Sequence, residues 1–239
     1  LSSSSAASDV YKRQALTVTS CRKEDSDSTE SIIKDEVKDL TVQNSNDDKA
    51  IAKYMDEHYL DASGKITRFS STDTSDDANK KLSELNVQKL PSGVIVIVRE
   101  GAQPNPGTAI GATDIISIMQ RSYSFVAQEN NGIEYVSEIP FANTIDGTGN
   151  PEVDPSYYYV KQSVMDASNK TRAYYEIEGF QEGLKYFKSF NLPNSANYNL
   201  QGVILVPSRA AFARDEHYPY SGMTFRNRSF VFNLSLIHI

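Results

Sequence analysis

Few side chains in this sequence have the types and spacing that bond-making chemistry demands. One cysteine, Cys21, and three histidines stand among 239 residues, and no Ser/His/Asp or Cys/His constellation forms around them to activate a nucleophile. His58 shares a stripe with Ile51, Tyr54 and Met55 at i, i+3, i+4 and i+7. It reads as a half-buried packing residue of a short helix, not as a metal ligand. No metal or cofactor is expected. The net charge of −7 argues against nucleic acid as a partner, because phosphate binding needs a basic face. No run approaches the ~18 apolar residues of a membrane span. What is left is one thiol and a stock of 14 Tyr and 10 Phe with no Trp, enough for one ordinary core and a small further piece.

The thiol has a context. Residues 15–21 form a weakly apolar run with small residues ahead of Cys21, and Val18-Thr-Ser-Cys21 resembles a lipobox, in which the cysteine is acylated on its sulfur and its new amino terminus. A lone cysteine allows no intrachain disulfide. Residues 22–46 are mostly Ser, Asp, Glu and Lys and are read as a disordered tether, too poor in apolar surface to offset ordering entropy. Glu24-Asp25-Ser-Asp27 is similar to the surface-export signals of some Bacteroidetes lipoproteins. Residues 1–14 and 234–239 resemble translated sequencing adapter and are set aside from fold reasoning.

The elements that must position any site begin near Asp47, with Asn46 or Asp47 as helix cap. Residues 47–89 are expected to hold that helix, a short strand over 65–69 after the Asp61–Gly64 turn, and a helical turn through Leu82 and Leu85. From residue 90 to 233 the texture is that of strands: Val94–Val98, Ile115–Ala127, a turn at Asn130-Asn-Gly132, and a return over Ile133–Ile139. Tyr157–Val160, Arg172–Tyr175, Leu200–Val206 and Ser229–Leu234 are further strand candidates. Only Phe180, Leu184 and Phe187 have clear helical spacing in this half. Many strands around one short helix predict an α+β domain with an antiparallel sheet.

Four blocks then carry a family resemblance. They are Pro91-Ser-Gly-Val-Ile-Val-Ile-Val-Arg-Glu-Gly101 with Pro104 and Asp114–Ile118; Ile177-Glu-Gly-Phe-Gln-Glu-Gly-Leu184; Val206-Pro-Ser-Arg-Ala-Ala-Phe212-Ala; and Ser229-Phe-Val-Phe232-Asn-Leu. In this order they resemble bacterial FKBP-type peptidyl-prolyl cis/trans isomerases over about 145 residues. The resemblance implies a sheet curved around one short helix, proline-containing polypeptides as partners, and catalysis without nucleophile or metal. The bond before proline has a barrier of about 18–20 kcal/mol, and a dry aromatic pocket favours its twisted, less polarised state. By the same resemblance Phe180 is the pocket floor, where most relatives have Trp. Ile177 offers a backbone N–H, Tyr123, Tyr135 and Phe232 form walls, and Phe212 stands where Tyr is usual.

Two departures accompany it. Val136 replaces an acidic residue of the pocket, and Phe212 lacks the hydroxyl that can bind a ligand carbonyl, about 0.5–1.5 kcal/mol of interaction. Residues 145–155 form a longer loop than the family's. Three functions compete: an isomerase for envelope proteins, a peptide-binding or chaperone-like module of the same fold, and a β-rich surface lipoprotein that binds ligand or glycan.

Overall fold

The computed structural model describes residues 39–111, 114–146, 149–191 and 200–238. Cys21, residues 1–14 and the tether up to residue 38 lie outside the described residues. The polar stretch just before Asp47 is helical, which corrects both the helix start and the extent of the tether. Helix α1 spans Leu40–Glu57, and the Asp39 carboxylate caps it by accepting the Thr41 N–H at 2.7 Å. Gln43, Asn46 and Asp47 are buried on it. Asp47 accepts from the Gln43 amide at 2.8 Å, from the Ser208 N–H at 3.1 Å, and from the Ser208 hydroxyl. Apolar periodicity cannot reveal a first half whose inner face is amide and carboxylate. The second half follows its predicted stripe, with Ile51, Tyr54, Met55 and His58 all buried.

The strands are β1 (His58–Leu60), β2 (Ile66–Arg68), β3 (Val87–Lys89), β4 (Ile95–Val98), β5 (Thr108–Ala109), β6 (Ser117–Glu129), β7 (Ile133–Asn143), β8 (Glu152–Val153), β9 (Lys188–Ser189), β10 (Gly202–Val206) and β11 (Arg228–His238). The main sheet has the order β3-β4-β10-β11-β6-β7, with β8 beside β6, and every pairing in it is antiparallel. β1–β2 and β5–β9 are small separate pairs. The α+β class and the β6–β7 hairpin are as expected. At the hairpin tip Asn131 and Gly132 take positive φ of 53° and 134°, the conformations for which Asn and Gly are suited.

Both faces of the sheet are covered, because alternate residues of its central strands are apolar on each side. Val96, Ile204, Val206, Phe230, Phe232 and Leu234 point into one core with helix α3 (Glu178–Leu184). Ile95, Ile97, Val203, Leu205, Phe125 and Val231 point into the other, against Tyr54 and Met55 of α1. The N-terminal helix is therefore a full layer of one compact unit from Lys38 onward, not a small accessory to it.

Two strand expectations fail. Residues 157–160 form a turn, in which the Tyr158 and Tyr159 N–H groups both donate to the Pro155 carbonyl, at 2.8 and 2.9 Å. Arg172–Tyr174 is a 3-10 turn. Runs of tyrosine suit strands by propensity, but the Pro155 turn sets the local path here. Helix α2 (Gln162–Ser168) gave no sequence signal, since Met165 alone is buried on it. Residues 234–238, set aside above, continue β11: Leu234 pairs with Gln120 and Leu236 with Ile118, and both are buried.

Candidate functional site

Four of the residues named from the family resemblance meet in one place. Helix α3 brings Phe180 and, at its N-cap, Ile177; the corner after β10 brings Phe212; β11 brings Phe232. All four belong to the core under α3. The Phe180 and Phe232 ring centroids lie 4.4 Å apart. Phe212 joins through Tyr220 and Phe230, each at 6.1 Å. The sequence reading missed the ring at the centre, Phe141, which sits edge-on to Tyr157, Tyr220, Phe225, Phe230 and Phe232 at 5.0–5.8 Å. Its signal was its place at the far end of β7, which the predicted strand stopped short of.

This cluster is closed. Phe180, Phe232 and Ile177 are each 0% exposed and Phe212 is 2%. The ring of Tyr157 fills the space between Phe141 at 5.0 Å and Phe180 at 5.6 Å. The Tyr157 carbonyl accepts the Ile177 N–H at 2.8 Å, so the donor expected to serve a substrate is already engaged. The Tyr157 hydroxyl donates to Glu152 at 2.6 Å and accepts from Gln120. Burial, then the Glu152 charge beside it, holds that hydroxyl well above the usual tyrosine range and therefore protonated.

Tyr123, Tyr135 and Val136 do not take part, which corrects their assignment as walls of the same pocket. Side chains alternate along β6, so Tyr123 faces the side of Phe125 and Ala127, opposite the helix α3 core. Tyr135 packs there on Tyr54 and Phe125 at 5.2 and 5.5 Å and donates its hydroxyl to Glu57. With Val136, Arg68, Arg121 and Glu138, the two tyrosines line a separate groove of about 380 Å³ beside α1. The cations there rest over rings, Arg68 over Tyr135 and Arg121 over Tyr123. Arg68 is also paired with Glu57 at 2.7 Å and Arg121 with Asp146 at 3.1 Å.

Two histidines are packed as neutral rings. His217 stacks on Phe212 at 4.3 Å, and its Nε2 accepts the Phe225 N–H at 2.7 Å. His58 stacks on Tyr54 at 3.9 Å. Burial lowers the pKa of both. An unfolded histidine takes up a proton below about pH 6.5, where these folded rings still refuse one. Their contribution to stability is thus complete above that pH and is lost as pH falls towards their folded pKa values. Ring titration by NMR should place both midpoints below 6.5, and either midpoint above it would contradict the packing. Asp47, whose pKa burial raises, titrates with the opposite sign, so urea midpoints must be compared in an Asp47→Asn background.

Among the described residues no group of three His, Cys, Asp or Glu side chains could hold a metal ion. The assembled cluster excludes water around its rings, and the Ile177 N–H beside it is bonded to the Tyr157 carbonyl. No model of a known protein family matches this chain, and no curated protein is found to be similar to it.

Proposed function

We propose that this chain is an FKBP-like, lipid-anchored protein of the bacterial cell envelope that binds proline-containing polypeptides, with isomerase activity held low by its own Tyr157 segment. The carrying observation is the convergence of Ile177, Phe180, Phe212 and Phe232, from three distant sequence blocks, on one aromatic cluster under α3. A water-free ring site with one fixed donor can lower the barrier to rotation before proline by shape alone, and each ~1.4 kcal/mol of selective stabilisation gives tenfold in rate. In the closed arrangement the ring space and the donor are both occupied by Tyr157. That favours the binding-module reading over a fully active isomerase. The loss of a carboxylate at Val136 has no bearing on the cluster, since Val136 lines the other groove.

The chain is expected to suppress aggregation of an unfolded client. On several Xaa-Pro peptides in a protease-coupled assay it should add little to the uncatalysed exchange, which takes tens to hundreds of seconds. Strong acceleration would restore the isomerase reading, and the absence of both activities would overturn the proposal. A truncated version for these assays must keep Asp39, since a start at Asp47 would remove the cap and residues 40–46 of α1.

The envelope part rests on Val18–Cys21 and the acidic stretch after it. Expressed behind a complete secretion signal, the protein is expected to partition into detergent and to begin at an acylated Cys21. A water-soluble product with an unmodified thiol would remove the anchor from the proposal.

A further inference from the structure

Residues 154–160 cross the open side of the aromatic cluster and are held there by a few identifiable bonds. The Tyr157 ring is wedged among Phe141, Phe180, Tyr220 and Phe232. Its hydroxyl sits between Glu152 and Gln120, and its carbonyl on the Ile177 N–H. Further along, the Val160 N–H donates to Glu176 at 2.8 Å and Arg172 bonds the Val160 carbonyl at 3.1 Å. Upstream the segment is tied to the sheet by β8, which has two residue pairs with β6, and by the Asp154 N–H, which donates to the Ile116 carbonyl at 2.9 Å. Ser156 also meets the Tyr220 hydroxyl at 3.1 Å, and the Gln181 amide donates to the Tyr158 carbonyl.

Where β8 ends, the closed form carries one visible cost. Asp154 has a φ of 49°, a left-handed conformation that Asp tolerates better than most residues. Its Oδ1 is buried with no hydrogen-bond partner among the described residues, a cost of the closed arrangement. The seat is built differently. Phe180 stands on α3, Phe141 on β7, Phe232 on β11 and Gln120 on β6, outside the segment, while Glu152 stands on β8 beside it.

We propose that residues 154–160 form a displaceable strap hinged at Asp154, and that Tyr157 occupies in cis a seat that a tyrosine of an extended polypeptide takes in trans. The seat's chemistry is that of its present occupant. It offers rings for a ring, Gln120 and Glu152 for a phenolic hydroxyl, and the Ile177 N–H for the carbonyl of the same residue. Selection of tyrosine follows from the hydroxyl partners, which a purely apolar ring would leave unsatisfied. That a client polypeptide displaces the strap rests on the function proposed above; the opening of the strap does not.

Hydrogen exchange of the full chain tests the opening directly. The Ile177 amide, covered by Tyr157, is expected to exchange at least about tenfold faster than the Ile204 amide in the centre of the sheet. Equal rates would mean that the strap opens only by global unfolding, which overturns the proposal. Tyr157→Phe keeps the ring and removes the hydroxyl latch, so it should fold and speed Ile177 exchange further; unchanged exchange counts against the latch. Tyr157→Ala should bind p-cresol, seen as a thermal shift absent from the parent chain, and bind toluene more weakly. A preference for toluene would overturn the tyrosine seat. Fast Ile177 exchange in a chain that suppresses no aggregation would uphold the strap and remove the client reading alone.

Discussion

Phe180→Ala is expected to lower the unfolding free energy by about 3–5 kcal/mol, the range of large-to-small aromatic truncations in packed cores. The family resemblance implies a different outcome. As a pocket floor, Phe180 would be partly open to solvent, and its loss would touch catalysis more than folding. Its actual surroundings decide between the two. The ring is fully buried, with Phe232 at 4.4 Å, Tyr157 at 5.6 Å and Tyr158 at 6.4 Å on different sides. Removing it leaves a cavity lined by Tyr157, Tyr158 and Phe232 among others of the core under α3. Urea unfolding with an unchanged m-value measures the loss. A change below about 1 kcal/mol, well short of a core truncation, would show that the strap collapses into the space or that the site is open in solution.

The same residues show what could be read from the sequence. Val94–Val98 was legible because a β-branched run follows Pro91-Ser-Gly93, where Gly93 takes a φ of 92°. The α3 helix was legible from Phe180, Leu184 and Phe187, and all three are buried, although the helix ends at Leu184 and Phe187 lies beyond it. The blocks that carry Ile177, Phe180, Phe212 and Phe232 meet in one buried core. Period-2 alternation could not place Tyr123 and Tyr135, since it says that neighbours face opposite ways but not which face holds the helix. With both faces of the sheet buried, polarity gave no second cue. Nor could local pattern show that Tyr157 folds back on Ile177. That contact joins a segment whose own signal pointed to strand to the start of the helix block, and a proline turn with a left-handed Asp154 overrides the strand signal.

Helix α3 provides the other large effect, and its packing can be probed in both directions. Leu184→Ala removes a fully buried side chain of the core and is expected to cost about 2–5 kcal/mol. Gly183, its neighbour, has no such freedom to grow. A Cβ there would lie 2.5 Å from the Ile204 Cγ2, and one on Gly179 would lie 2.5 Å from the Val206 Cγ1 and 2.8 Å from the Ala210 carbonyl oxygen. The two glycines stand one turn apart on the face that rests on β10, so they set how near the helix approaches the sheet. Leu184 fills its space only at that distance. Gly183→Ala gains helix propensity of about 1 kcal/mol, yet the overlap with Ile204 is expected to outweigh it, because overpacking in a filled core costs about 1–3 kcal/mol. Denaturant midpoints of the two variants should therefore both fall, Leu184→Ala further. A stabilised Gly183→Ala would mean that the helix rides higher on the sheet, and the loss at Leu184 should then shrink towards the 0.5 kcal/mol or so of an ordinary surface change.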